Sequence, residues 1–228
     1  ETTQQFGYGV AIDGTTIVAT EYSGYSAWIC EYNTTTHTCA WTELEVLDDS
    51  RPLEVAIEDN YIAVGQRDMK VDNVAMVGQV KVFIKTAGVW TLDDTIHPPS
   101  NYQTAQSSFG NSVSLSGGRL AIGAPRIDSI DGLDNIGGVF VYARDGNGDW
   151  LQEGDLISLN VEDAQFGGTV RLDHQRLIAT TTNNNITQAI HVFRDTNGSG
   201  SWLLEQSLDS SIVSSNASWG VGQIATID

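Results

Sequence analysis

The chain has 228 residues, 40% of them hydrophobic and 8% aromatic, so it can bury a substantial core. Eleven Lys plus Arg against 29 Asp plus Glu give a formal charge of −18, a field that repels phosphate backbones and anionic bilayers and so excludes nucleic acid as a ligand class. No stretch approaches the ~18 apolar residues of a helical membrane span, and Glu1-Thr2-Thr3-Gln4-Gln5 has no basic-then-apolar signal segment, so any signal peptide is expected to have been removed.

The elements predicted along the chain recur. Phe6-Gly7 opens a strand through Val10-Ala11-Ile12, Asp13-Gly14 turns the chain, and Ile17-Val18-Ala19 returns as a second strand. A third strand is predicted at 29–32, and Trp41 opens a fourth. The second repeat has Arg51-Pro52 where Phe-Gly is expected, but keeps Val55-Ala56-Ile57, Ile62-Ala63-Val64, a third strand at 80–83 and Trp90. The third runs from Phe109-Gly110 through Val113 and the turn Gly117-Gly118 to Leu120-Ala121-Ile122, with a third strand at 139–142 and Trp150. The fourth runs from Phe166-Gly167 through Val170-Arg171-Leu172 and Leu177-Ile178-Ala179 to a third strand at 190–193 and Trp202. In every copy an apolar residue stands seven positions after the central valine: Ile17 after Val10, Ile62 after Val55, Leu120 after Val113, Leu177 after Val170.

Alternation at period two, with no competing helical period, makes the class all-β. The repeats fall at 6–50, 51–108, 109–165 and 166–218, and 219–228, beginning Trp219-Gly220-Val221, reads as the first strand of a fifth. Units of roughly 40–50 residues with four strands each are the pattern of propeller blades, and 1–228 is read as one such domain. A lone four-stranded sheet leaves both faces exposed, so each blade must pack on its neighbours to bury its apolar residues.

Cys30 and Cys39 flank a Thr-rich turn between two predicted strands. Two thiols without a nearby His or Cys pair make a poor zinc site, which leaves a disulfide or two buried thiols, and the disulfide is favoured. Asn33, Asn185, Asn197 and Asn216 each begin an Asn-x-Ser/Thr sequon and are candidate glycosylation sites. With the cysteine pair and the shortage of Lys, they point to an oxidising, extracellular or cell-surface location.

The third repeat, Phe109-Gly110 through Gly123-Ala124-Pro125, then Gly138-Val139-Phe140 and Trp150, resembles the FG-GAP repeat of integrin-α-like β-propellers. Repeats one and four keep Phe-Gly but have Ala19-Thr20 and Ala179-Thr180 in place of Gly-Ala-Pro. The resemblance implies a ring of blades, usually seven, with the Phe-Gly strand innermost. Four repeats and one strand fall short of that ring, so the chain is expected to be part of a longer protein or larger assembly.

The tryptophans and Phe-Gly pairs recur at repeat spacing and are expected in the core between blades. Two predicted turns carry oxygen side chains at alternate positions, Asp145, Asn147 and Asp149, then Asp195, Asn197 and Ser199. Alternation lets such oxygens converge on a hard cation, so these are calcium candidates, set against the plainer reading that they are turn formers. No cofactor is required by any other feature. The long acidic loop Arg126 to Ile136, with Asp128, Asp131 and Asp134, is the expected partner-binding face, against the alternative of a solvated loop. His37, His97, His174 and His191 occupy unrelated repeat positions, and no Gly-x-Ser-x-Gly, His-Glu-x-x-His or Cys–His arrangement occurs. The expectation is therefore a non-enzymatic extracellular module that binds a protein or glycan in adhesion or recognition, the acidic charge favouring a basic partner. The alternative is a structural block of an extracellular assembly, and a hydrolase on a propeller scaffold stands third.

Overall fold

The computed structural model describes residues 6–21, 25–46, 50, 54–183 and 186–209. Arg51-Pro52, the sequons at Asn185 and Asn216 and the fifth-repeat segment 219–228 lie outside the described residues.

Alternating apolar residues and tight turns produce four sheets, each a meander of four consecutive antiparallel strands. The first comprises β1 (Phe6–Asp13), β2 (Thr16–Glu21), β3 (Ser26–Glu31) and β4 (Trp41–Val46). The second comprises β5 (Glu54–Glu58), β6 (Tyr61–Gln66), β7 (Gln79–Thr86) and β8 (Val89–Ile96). β9 (Ser112–Ser116), β10 (Arg119–Ala124), β11 (Gly138–Arg144) and β12 (Trp150–Gln152) form the third. β13 (Val170–Asp173), β14 (Arg176–Asn183), β15 (Ile186–Asp195) and β16 (Trp202–Asp209) form the fourth. The chain is an all-β protein built of propeller blades; among the described residues its one helical element is a 3-10 turn at Ser100–Tyr102.

The register follows the repeat. Val10 lies opposite Ala19, Val55 opposite Val64 and Val170 opposite Ala179. Cys30 lies opposite Ile17, as Phe83 lies opposite Ile62 and Phe193 opposite Leu177. The third strand of the first blade therefore begins at Ser26, three residues before its predicted start at Ile29, because Ala27 and Ile29 are the pair it buries.

The chain divides into two compact units, Glu1–Val113 and Ser114–Asp228. In the first unit, Val18, Ala27 and Ile29 of the first blade pack on Val55, Ile62, Val64 and Phe83 of the second. In the second unit, Ala121, Val139 and Val141 of the third blade pack on Val170, Leu172, Leu177, Ala179 and Phe193 of the fourth. Each Val, Leu, Ile or Phe among them taken fully out of water contributes about 1.5–3 kcal/mol, so the stacking of blade on blade is a main source of stability.

The Phe-Gly pairs tie blade to blade through the backbone. The N–H of Phe166 donates to the Ile136 carbonyl at 3.1 Å, and in the first unit that of Phe109 donates to Val77 at 2.9 Å. Gly167 has a φ of +90°, and a Cβ there would overlap the Gly138 carbonyl oxygen. The expectation that these aromatics are core holds for Phe109, Phe166 and Trp150, which are buried. It fails for Phe6 and Trp41, which are exposed and meet each other edge-on at 5.1 Å.

Candidate anion-binding site

In the second unit, the β9–β10, β11–β12, β13–β14 and β15–β16 turns lie at one end of the strands, because every blade is a simple meander. At this end β13 is pinned to β9: the backbone N–H groups of Leu172 and His174 donate to the hydroxyls of Ser114 and Ser116 at 2.9 and 3.1 Å. Arg119, first residue of β10, then crosses from the third blade to the fourth. Its Nη2 donates to Glu153 Oε1 at 2.7 Å, Asp195 Oδ2 at 2.9 Å and the Gly198 carbonyl at 2.9 Å, and its Nη1 reaches the His174 carbonyl at 3.2 Å. The guanidinium also lies 5.9 Å from the Trp202 ring centroid. Burial alone would raise the Asp195 carboxyl, but the N–H groups of Gly200 and Asn197 and the Arg119 charge together hold it below its ordinary value.

Beside this saturated arginine are two that are not saturated. Arg176 on β14 stands directly opposite Arg194 on β15. Like charges in directly opposed positions repel, and a chain with 29 acids for 11 cations could easily have placed a carboxylate there. Arg194 Nε is paired with Glu205 Oε1 at 2.6 Å, whereas Arg176 is exposed and has no side-chain partner among the described residues. The two line a cleft of about 790 Å³ together with Arg119, Asp173, His174 and Gln175. His174 Nδ1 lies 2.9 Å from Asp173 Oδ1. The cleft thus offers guanidinium donors for an anion, and Asp173, His174 and Gln175 as polar partners for hydroxyl groups.

Of the residues singled out in the sequence, Asp195 is brought to this site but its oxygens are occupied by the turn and by Arg119. Ser199 donates to Asn197 Oδ1 at 2.7 Å in the same turn. Asp145 Oδ1 accepts the N–H groups of Asn147 and Asp149 at 2.8 and 3.0 Å, and these bonds hold its carboxyl below its ordinary value. Such bonds are those of turn formers, and among the described residues no three His, Cys, Asp or Glu side chains are grouped to hold a metal.

The loop carrying Arg126, Asp128, Asp131 and Asp134 leaves the other end of β10, away from the cleft. It is anchored by buried Ile127 and Ile136 and braced by Asn135 N–H donating to Asp128 Oδ1 at 2.8 Å, with Asp131 and Asp134 exposed. Cys30 and Cys39 are joined as a disulfide, and Asn33 in the bridged turn is exposed, its Oδ1 accepting the N–H groups of Thr35 and Thr36 at 2.9 and 3.0 Å. The arginine pair escaped the sequence reading. The signal lay in the repeat frame, since once Leu177 is set opposite Phe193, their neighbours Arg176 and Arg194 must also be opposed.

Residues 100–142 match the model of the FG-GAP repeat, in agreement with the resemblance drawn from the third repeat. No curated protein matches the chain in sequence. Similar solved structures include one named "putative 6-phosphogluconolactonase" from Bacteroides uniformis, 16% identical with a TM-score of 0.58, the match covering 86% of this chain and 52% of that one. Another is a protein from Lactobacillus plantarum, 15% identical with a TM-score of 0.57, over 90% of this chain and 56% of that one. The chain thus spans about half the length of these structures, and at such identities the likeness is one of fold.

These comparisons correct the expectation of an adhesion or recognition module, and of a building block of an extracellular assembly. Of these two structures, the one that carries a functional name is named for a lactonase, and neither name points to adhesion. The physical reason is that blade packing fixes repeat sequence whatever the propeller binds, so likeness to an adhesion-receptor repeat transfers the fold without the function.

Proposed function

We propose that the second unit binds a small polyhydroxylated anion, a sugar phosphate or sugar acid, at the cleft lined by Arg176 and Arg194. The observation that carries this reading is the cross-strand arginine pair, one member of it unneutralised, in a chain of charge −18. An anion bound there relieves the repulsion between the guanidiniums, and bidentate geometry suits both phosphate and carboxylate. The name of the Bacteroides uniformis structure supports the ligand class, since a phosphogluconolactone is a phosphorylated, hydroxyl-rich anion. The proposed role is binding without catalysis: His174, the one basic nitrogen in the cleft, is 75% exposed, with nothing around it to exclude water.

Calorimetric titration with 6-phosphogluconate tests this. Saturable binding is expected, weakened by salt and reduced about tenfold or more in Arg176→Ala, which removes charged hydrogen bonds worth roughly 1.5–3 kcal/mol. Because Arg176 is exposed, that variant should keep the native circular dichroism. Absence of binding, or equal affinity in Arg176→Ala, would reject the site. We also propose an oxidising, extracytoplasmic location, supported by the Cys30–Cys39 bridge and by exposed sequon residues Asn33 and Asn197.

A further inference from the structure

Three charged side chains stand in one row across the fourth blade. Asp173 at the end of β13 lies directly opposite Arg176 on β14, and Arg176 lies directly opposite Arg194 on β15. Directly opposed residues of antiparallel strands share a face, with Cβ atoms about 4.5–5.5 Å apart, so the two guanidiniums are carried on neighbouring stems. The row is nevertheless not a chain of ion pairs. Asp173 Oδ1 lies 2.9 Å from His174 Nδ1, and Arg194 Nε lies 2.6 Å from Glu205 Oε1. Glu205 reaches Arg194 from a bulge in β16: Leu204 is opposite Phe193 and Gln206 is opposite Val192, so Glu205 is the extra residue between them. Arg176 is left with no side-chain partner among the described residues, whereas Arg194 has its Nε committed to a carboxylate of the chain itself.

We infer that the arginine pair takes the phosphate end of its ligand in preference to a carboxylate, and that Glu205 sets this preference by occupying Arg194 Nε. The inference rests on the anion-binding reading above. A carboxylate has two oxygens and is held best by the paired donors of one guanidinium. Arg176 alone can serve it, which leaves Arg194 unrelieved. A phosphate monoester has three terminal oxygens and up to two charges, so it can accept from Arg176 and from the Nη groups of Arg194 together. Asp173 and His174, at the other end of the row, suit the hydroxyl groups that follow the phosphate.

Calorimetric titration with two matched open-chain polyols tests this: sorbitol 6-phosphate, which has no carboxylate, and gluconate, which has no phosphate. At about pH 8 the phosphate is a dianion, its second pKa being about 6. The native protein should bind sorbitol 6-phosphate about tenfold or more tightly than gluconate, as expected for one additional charged contact. Glu205→Ala frees Nε and should raise the affinity for gluconate more than that for sorbitol 6-phosphate, narrowing the ratio to roughly threefold or less. Glu205→Gln removes the charge but keeps an acceptor for Nε, so its ratio should stay near the native one. A through-space charge effect would do the reverse, favouring the dianion in both variants. Glu205 is exposed, so both variants should keep the native circular dichroism. Gluconate bound as tightly as sorbitol 6-phosphate by the native protein, or an unchanged ratio in Glu205→Ala, would overturn the inference and leave the anion site standing. Failure of both probes to bind the native protein and Glu205→Ala alike would reject the anion site itself, and the inference with it.

Discussion

Arg119 shows how one side chain can hold two blades together. It stands in the strand position that Arg176 fills in the next blade, but there it meets a carboxylate, Asp195, with no exposed surface, and a second, Glu153, that is mostly covered. A buried ion pair adds little over well-packed apolar groups, whereas removing one partner strands the other charge. Arg119→Met should therefore destabilise the second unit by roughly 2–4 kcal/mol, the lower end reflecting the partial exposure of the guanidinium, as read by urea unfolding. Arg119→Lys should recover little of this, because one ammonium cannot reach Glu153, Asp195 and the Gly198 carbonyl together. If Arg119→Lys were as stable as the native protein, positive charge alone, without the planar fork, would suffice for the clip.

At the scale of the element, what could be read in the sequence was set by period and what could not was set by partners. The Val-to-Ile/Leu spacing placed the hairpins, and tryptophans begin β4, β12 and β16, with Trp90 second in β8. The turns were harder, because Asp145-Gly146-Asn147 has the same composition whether its oxygens face a cation or accept N–H groups of their own turn, as they do. The arginine cleft was hidden for a related reason: its residues come from the starts and ends of four different strands and the turn between two of them, and meet only through register. Cys30 and Cys39 lay between these cases, visible as a pair, with only the alternative of free thiols to weigh. Their small loop limits the stabilisation to about 2–3 kcal/mol. Reduction should therefore add two protons to the intact mass and lower the stability of the first unit while leaving the unfolding of the second unchanged. An unchanged mass on reduction would show free thiols and remove the main support for an oxidising location.

Across the whole molecule, charge and burial act on stability in opposite directions as pH falls. Protonating carboxylates reduces the −18 and so relieves self-repulsion as pH falls towards the pI of about 4.3. Two buried groups oppose this. His191 is held below its ordinary value of 6.5 by desolvation, packed edge-on to Phe166 at 5.8 Å with Nδ1 2.8 Å from the Ser207 hydroxyl. Its folded form stays neutral when the unfolded chain takes up a proton, so stability is full above 6.5 and declines as pH falls below it. Asp195 is also held below its ordinary 3.8, but as an acid: its contribution is present above that value and is lost as pH falls through the lower folded pKa. The expected profile is flat above neutrality, declines gently from about pH 6.5, and collapses only below the carboxylate range. In the third blade Phe140 occupies the position of His191, opposite Ile122 as His191 is opposite Ala179, and is fully buried. His191→Phe should consequently fold and lose the slope between about pH 7.5 and 5.5 while keeping the acid collapse, as followed by denaturant unfolding across that range. Were the slope to persist in His191→Phe, relief of carboxylate repulsion would already be excluded by its sign, and another of the four histidines would have to carry it.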